Sequence, residues 1–190
     1  MVVPIEELRR VGHAKAIVRW GEPVMHSRAR PVADFGPVLQ ELLSDMFATN
    51  AAADGAGLAA PQIGEDLAVF IYDCADSAGI RRAGVVCNPV LELPEGRERR
   101  LESDDEGCLS LPGAFMPLAR PDCAICRGQD QFGDDVEIVG TGTLARCLQH
   151  ETDHLNGMVF GDRLSKRSRK QLYQQHERIA DRYSPDWPAT

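Results

Sequence analysis

His150-Glu151-Thr152-Asp153-His154 sets two imidazoles four residues apart with a carboxylate directly after the first. On an α-helix, positions i and i+4 lie about 40° apart on one face, so both rings can reach one ion. Glu151 sits roughly 100° around the same helix, close enough to touch a water on that ion but poorly placed to be a third ligand. Two ligands and a general base are what a metal-assisted hydrolase needs. The competing reading is a chance match in a solvated helix, because the pattern is short. The flanks weigh against it: Leu144, Cys147, Leu148, Leu155 and Met158 recur at helical spacing. They predict a mostly buried helix with Thr143 as N-cap and Asn156-Gly157 as its stop. A buried helix carrying these polar side chains must satisfy them, and a metal does so.

A catalytic metal is usually held by three protein ligands, so a third must come from elsewhere. Cys108, Cys147, His176 and the other cysteines are the candidates. Cys147, three residues before His150, falls on the metal-facing side of the helix. It is equally a small core residue beside the site, and angular position alone leaves both readings open. Cys108 lies in Glu106-Gly107-Cys108-Leu109-Ser110-Leu111-Pro112, where Gly107 permits a bend or a close approach. A thiolate on such an extended segment, crossing the helix, can complete a tetrahedral Cys-His-His site. A further segment, Gly55-Ala56-Gly57-Leu58-Ala59-Ala60-Pro61-Gln62-Ile63-Gly64, offers small residues for close packing and the Gln62 amide as a donor. Alone it reads as a helix end and loop. It has no GKS/T and no GxGxxG register, so it is not a phosphate cradle.

Taken together and in this order, the three blocks resemble peptide deformylase, whose motifs GxGLAAxQ, EGCxS and HExxH stand here as Gly55–Gln62, Glu106–Ser110 and His150–His154. The similarity extends over roughly residues 16–165. The resemblance implies Cys108, His150 and His154 as metal ligands with a water or hydroxide in the fourth position. It makes Glu151 the general base and then the acid. Gln62 and the backbone N–H of Leu109 become the oxyanion hole, and Gly57 hydrogen-bonds the substrate backbone. Ala56, Glu106, Gly107, Phe115 and Cys147 fall along the substrate pocket. The implied cofactor is one divalent ion, Fe(II), with Zn, Ni or Co able to substitute. Cys108 is the expected point of oxidative damage, since a ligating thiolate is oxidisable. The implied reaction removes the formyl group from formyl-methionyl nascent polypeptides and releases formate. Two alternatives are another HExxH metallopeptidase with a ligand such as His176, and a catalytically inactive deformylase-like ribosome binder.

The chain departs from the pattern at two places. Phe115 stands where many relatives carry Arg, which implies a more apolar pocket wall. Ala56 stands where Ile or Val is common, which loosens one rim. Arg146, on the first turns of the metal helix, is expected as a surface charge near the methionine pocket. Arg120 is expected to pair with Asp153 or Glu106 and orient the metal shell.

The elements that must position these groups follow from the rest of the chain. At 190 residues it can form one domain with a core, expected over residues 1–184 with a loose tail at 185–190. Residues 36–53 read as an amphipathic helix with Val38, Leu42, Leu43, Met46 and Phe47 on one side. Leu67–Tyr72 reads as a buried strand, Ala83–Asn88 and Val90–Leu93 as strands around a turn at Pro89, and Arg99–Ser103 as another. Residues 122–128 and 135–140 read as a hairpin. The expected fold class is α+β, with antiparallel sheets packed around a central metal-binding helix and a C-terminal helix.

No stretch of ~18 apolar residues is present, which excludes a transmembrane helix. The start, Met1–Glu7, is acidic and lacks a signal peptide's layout, so a cytoplasmic location is expected. The six cysteines are then thiols, and Cys123-Ala124-Ile125-Cys126 is read as strand packing rather than a redox motif. A net charge of −8 opposes DNA binding. Residues 162–182 nevertheless hold seven Lys/Arg against three acids. A solubilising charged helix is the plain reading, and docking to ribosomal RNA or protein the functional one.

Overall fold

In the computed structural model, which describes residues 4–189, α1 (Ile5–Val11) and α2 (Pro37–Ala52) precede seven strands. These are β1 (Gly57–Ala59), β2 (Val69–Ala75), β3 (Arg81–Glu92), β4 (Leu101–Gly107), β5 (Phe115–Pro121), β6 (Cys123–Gln129) and β7 (Asp135–Thr141). Helices α3 (Gly142–Leu155) and α4 (Lys166–Glu177) follow. The strands make a five-stranded sheet in the order β1-β2-β3-β6-β7 and a two-stranded sheet of β4 and β5. Every pairing is antiparallel, as the α+β reading expected.

Strand β2 is buried on both faces, which is why it reads as an unbroken apolar run. Successive side chains point to opposite faces. Val69 and Ile71 join Leu39, Leu43, Met46 and Phe47 of α2 in one core. Phe70, Tyr72 and Cys74 join Leu144, Cys147, Leu148 and Leu155 of α3 in another. The large sheet is thus sandwiched between α2 and α3. A third cluster, with Leu111, Met116, Phe160 and Leu172, ties the small sheet to α4.

Several expectations are corrected. Val38 is 82% exposed, because the buried stripe of α2 runs through Leu39, Leu43, Met46 and Phe47, about 100° round the helix. Thr141, not Thr143, is the N-cap of α3, and its hydroxyl bonds Ser77 rather than the helix. The two strands expected around Pro89 are one strand, β3, with a register shift between Cys87 and Val90. Pro89 has no N–H to give the ladder, so the strand bulges there instead of ending. Asn88, at φ 52°, tethers the bulge through both backbone groups of Val32. Residues 185–189 are not a loose tail: Ile17 N–H donates to the Trp187 carbonyl at 2.9 Å and Pro188 is buried. Met1–Val3 and Thr190 lie outside the described residues.

Candidate metal centre and its cleft

Helix α3 brings the two histidines together as their spacing requires, with Nε2 of His150 and Nε2 of His154 3.1 Å apart. Strand β4 ends at Gly107 and delivers Cys108 to the same point, its Sγ 3.3 Å from His154 Nε2. A side chain at Gly107 would run into the Phe115 ring, since a Cβ there would lie 2.5 Å from Phe115 Cε1. One sulfur and two ring nitrogens therefore lie within 4.8 Å of one another, and all three residues are buried.

Their neighbours set the protonation pattern. His150 Nδ1 faces Glu106 Oε1 at 2.8 Å. Burial lowers the ring's pKa, but Cys108 and Glu106 outweigh it and raise it well above that of a free imidazole. A metal would therefore take the place of the Nε2 proton while Nδ1–H stays on Glu106. Burial alone would raise the Glu106 pKa, but the Arg120 guanidinium and the His150 ring outweigh it and hold the carboxyl well below the usual range. At His154, burial and the adjacent His150 lower the pKa well below that of a free imidazole, keeping the ring neutral. Two ring nitrogens and a sulfur converging on one point suit a borderline-soft divalent ion such as Fe(II) or Zn(II). The donor set thus fits the group that the sequence implies.

Glu151 stands beside the cluster, only 4% exposed, and burial pushes its pKa up to about 7. Its Oε2 has no hydrogen-bond partner among the described residues. A buried carboxyl with proton affinity near neutrality is suited to general acid–base work. Gln62 is locked by its Oε1 accepting from Ala59 N–H at 2.9 Å, while its Nε2 reaches Cys108 Sγ at 3.7 Å and Ser110 Oγ at 3.5 Å.

These groups open onto a cleft of about 430 Å³, the size of an ordinary small-ligand site. Ala56, Gly57, Gln62, Glu106, Gly107, Leu109, Phe115 and Cys147 line it with Cys108, His150 and Glu151. At Gly57 a Cβ would lie 2.6 Å from Cys147 Sγ and 2.9 Å from Glu151 Oε1, so the backbone approaches the site as only glycine allows. Glu106 also lines the cleft, with its carboxylate taken up by Arg120, Arg146 and His150.

Other candidates fall away. Cys147 faces the cleft, but its Sγ donates to the Ala56 carbonyl at 3.4 Å and it is not in the Cys-His-His cluster. His176 lies on α4 with Nδ1 against the Pro112 carbonyl, outside that cluster. Cys123 and Cys126 sit in β6 as strand residues.

A buried ion network backs the centre. Arg120 is bidentate to Glu106 and also reaches Asp153 at 3.1 Å, so both expected partners are used. Arg163 also donates to Asp153 Oδ2, at 2.6 Å. Arg146, expected as a surface charge, instead donates to Glu106 Oε2 and to the carbonyls of Leu118 and Glu102. Arg163, Tyr183 and Trp187 are site-related residues that the motifs did not reveal. For the last two a signal existed, since two large aromatics in a short polar segment are seldom left in water.

The polypeptide deformylase family model matches residues 14–170. The chain is 53% identical over 176 residues to peptide deformylase 1 of Streptomyces avermitilis, covering 92% of this chain and 81% of that one. It is 46% identical to peptide deformylase 2 of Streptomyces coelicolor, covering 89% and 93%. Among solved structures, a peptide deformylase from Legionella pneumophila superposes with a TM-score of 0.78 at 36% identity, over 88% of this chain and 96% of that one. One from Synechococcus elongatus, in complex with actinonin, gives 0.77 at 32% identity over 88% of each. The family's pattern runs through most of the sequence and its fold recurs over nearly nine-tenths of it, and on that ground this chain belongs to the polypeptide deformylase family of hydrolases.

Proposed function

We propose that Cys108, His150 and His154 hold one divalent ion and that the enzyme hydrolyses the formamide of formyl-methionyl peptides, releasing formate and a free amine. The observation that carries this reading is the convergence of the three ligand atoms within 4.8 Å beside buried Glu151, at the floor of the cleft.

Held by Cys108, His150 and His154, the ion would supply Lewis acidity, which lowers the pKa of water from about 15.7 towards ~7. Glu151 Oε2, with no hydrogen-bond partner among the described residues, takes a proton from the attacking water. It then returns a proton to the amine nitrogen as the C–N bond breaks, because an amide anion is too poor a leaving group. Gln62 Nε2 and the Leu109 N–H donate to the developing oxyanion, each contributing on the order of 3 kcal/mol in the transition state. The backbone of Gly57 pairs with the substrate chain, and the methionine side chain seats beside Cys147 and His150. The thiolate-imidazole donor set supports Fe(II) with Zn, Ni or Co as substitutes, and it makes Cys108 the oxidisable ligand.

The basic helix α4 supports a docking role at the ribosome, where formylated chains emerge. Its Lys166, Arg167 and Lys170 are exposed, whereas Arg169 is engaged with the Gly161 carbonyl at 2.8 Å. No helix among the described residues is long and apolar enough to cross a membrane, in keeping with work on nascent chains in the cytoplasm.

The test is formate release from a formyl-Met tripeptide by protein purified and assayed without oxygen, with metal content measured in parallel. Turnover with about one ion per chain is expected, and Cys108→Ala should lose both. Full metal retention in Cys108→Ala would overturn the ligand assignment.

A further inference from the structure

The cleft has a wall that neither the three motifs nor the mechanism uses. Tyr183 and Trp187, from the segment after α4, line the same cleft as Cys108, His150 and Glu151. They are held there by several independent contacts. The Trp187 carbonyl accepts from Ile17 N–H at 2.9 Å. Arg19 donates to the Ser184 carbonyl at 3.0 Å and sits 5.8 Å from the Trp187 ring centre. The two rings meet edge-to-face at 5.2 Å. Tyr183 also abuts Gly113, where a Cβ would lie 2.8 Å from its hydroxyl. The segment is therefore a fixed part of the cleft.

Its chemistry differs from that of the floor. The floor carries the Cys-His-His cluster and Glu151, whereas Tyr183 and Trp187 are half-buried aromatics, each with surface left to offer. Phe115, 55% exposed, presents a third ring to the same space. With the formyl group at the cluster and the methionine beside Cys147, the residues that follow methionine must leave along the remaining walls. Apolar surface on the substrate there would be removed from water against rings.

We infer that Tyr183 and Trp187 form a specificity wall for the residues that follow the formyl-methionine, favouring peptides with apolar or aromatic side chains at those positions. This rests on the deformylase reading above. Formate release from formyl-methionine amide, which has nothing beyond the methionine, tests that reading by itself.

The experiment compares kcat/KM for formyl-Met-Leu-Phe amide and formyl-Met-Ser-Ser amide in the loaded, full-length enzyme. The unaltered protein should prefer the apolar peptide by about fivefold or more, through KM, the size expected of one or two aromatic contacts. Tyr183→Ala and Trp187→Ala should each bring that ratio towards one, and Tyr183→Phe should keep it. A purely structural role would lower both peptides equally and leave the ratio intact, which overturns the proposal. So does the absence of any preference in the unaltered enzyme. Thermal melts accompany each variant, and if Trp187→Ala does not fold, the Tyr183 pair decides on the same ratio.

Discussion

The Glu106 carboxylate touches Arg120, Arg146 and the His150 ring at once, and Arg120 continues the chain of charge to Asp153. Removing one member of a buried ion network strands its partners, which costs more than the intact network contributes. Arg120→Met should therefore destabilise the protein by ~3–5 kcal/mol, a fall in Tm on the order of 10 °C. It should also weaken metal binding by about 10–100-fold, because His150 loses its orientation. Melts and metal titration check both, and an unchanged metal affinity would remove Arg120 from any role at the centre. At Glu151 the expectation is opposite in kind. Glu151→Gln keeps the shape and the ligands, so metal content should hold while formate release falls by about 10²–10⁴-fold. Single-residue reasoning reached the pairing of Arg120 but not that of Arg146. An Arg on the first turns of a helix reads as solvent-facing, and only the small sheet crossing above α3 gives it three acceptors.

Helices α3 and α4 carry their charges to different ends. In α3 the polar side chains turn inward to the cluster and its network, whereas α4 leaves Lys166, Arg167 and Lys170 in water. Reversing those three to Glu, with Arg169 left to hold Gly161, should reduce co-sedimentation with ribosomes without changing kcat on a free peptide. Unchanged co-sedimentation would leave α4 a solubilising helix. What was legible at this scale was periodic. The 3.6-residue pattern of α3, the apolar run of β2 and the hairpin of β6 and β7 all recur in the structure. The short strand β1 was hidden because three residues cannot show a period. Strand β5, Phe115–Pro121, carries two prolines and an Arg whose partner is distant, so nothing local marks it as a strand. The later bounds of β4, 101–107 against an expected 99–103, have the same origin in a run of exposed acids.

Across the whole molecule, the two cores flanking the large sheet each bury a thiol that has no route to water. Burial pushes Cys87 and Cys126 from 9.0 up to about 12. Below pH 9 both folded and unfolded chains keep these protons. Above it the unfolded chain gives them up first, so stability present in full at neutral pH is lost as pH rises towards 12. Each thiol should steepen the decline by up to ~1.4 kcal/mol per pH unit. In reductant, denaturant melts of a Cys87→Ala/Cys126→Ala double variant should show a shallower decline over that interval, and an identical slope would refute the account. At this scale the sequence motifs pointed to the residues that converge on the Cys-His-His cluster, but the closing wall at residues 183–187 emerged only when the chain's distant segments met at Ile17 and Arg19. Cys108 follows β4 of the small sheet, whereas His154, 46 residues further on, lies on helix α3. An ion seated there is consequently a brace as well as a reagent, clamping the small sheet to α3. At a thousandfold excess over its Kd it adds about 4 kcal/mol against unfolding. Oxidation of the single sulfur would then silence the enzyme and loosen its frame in one event.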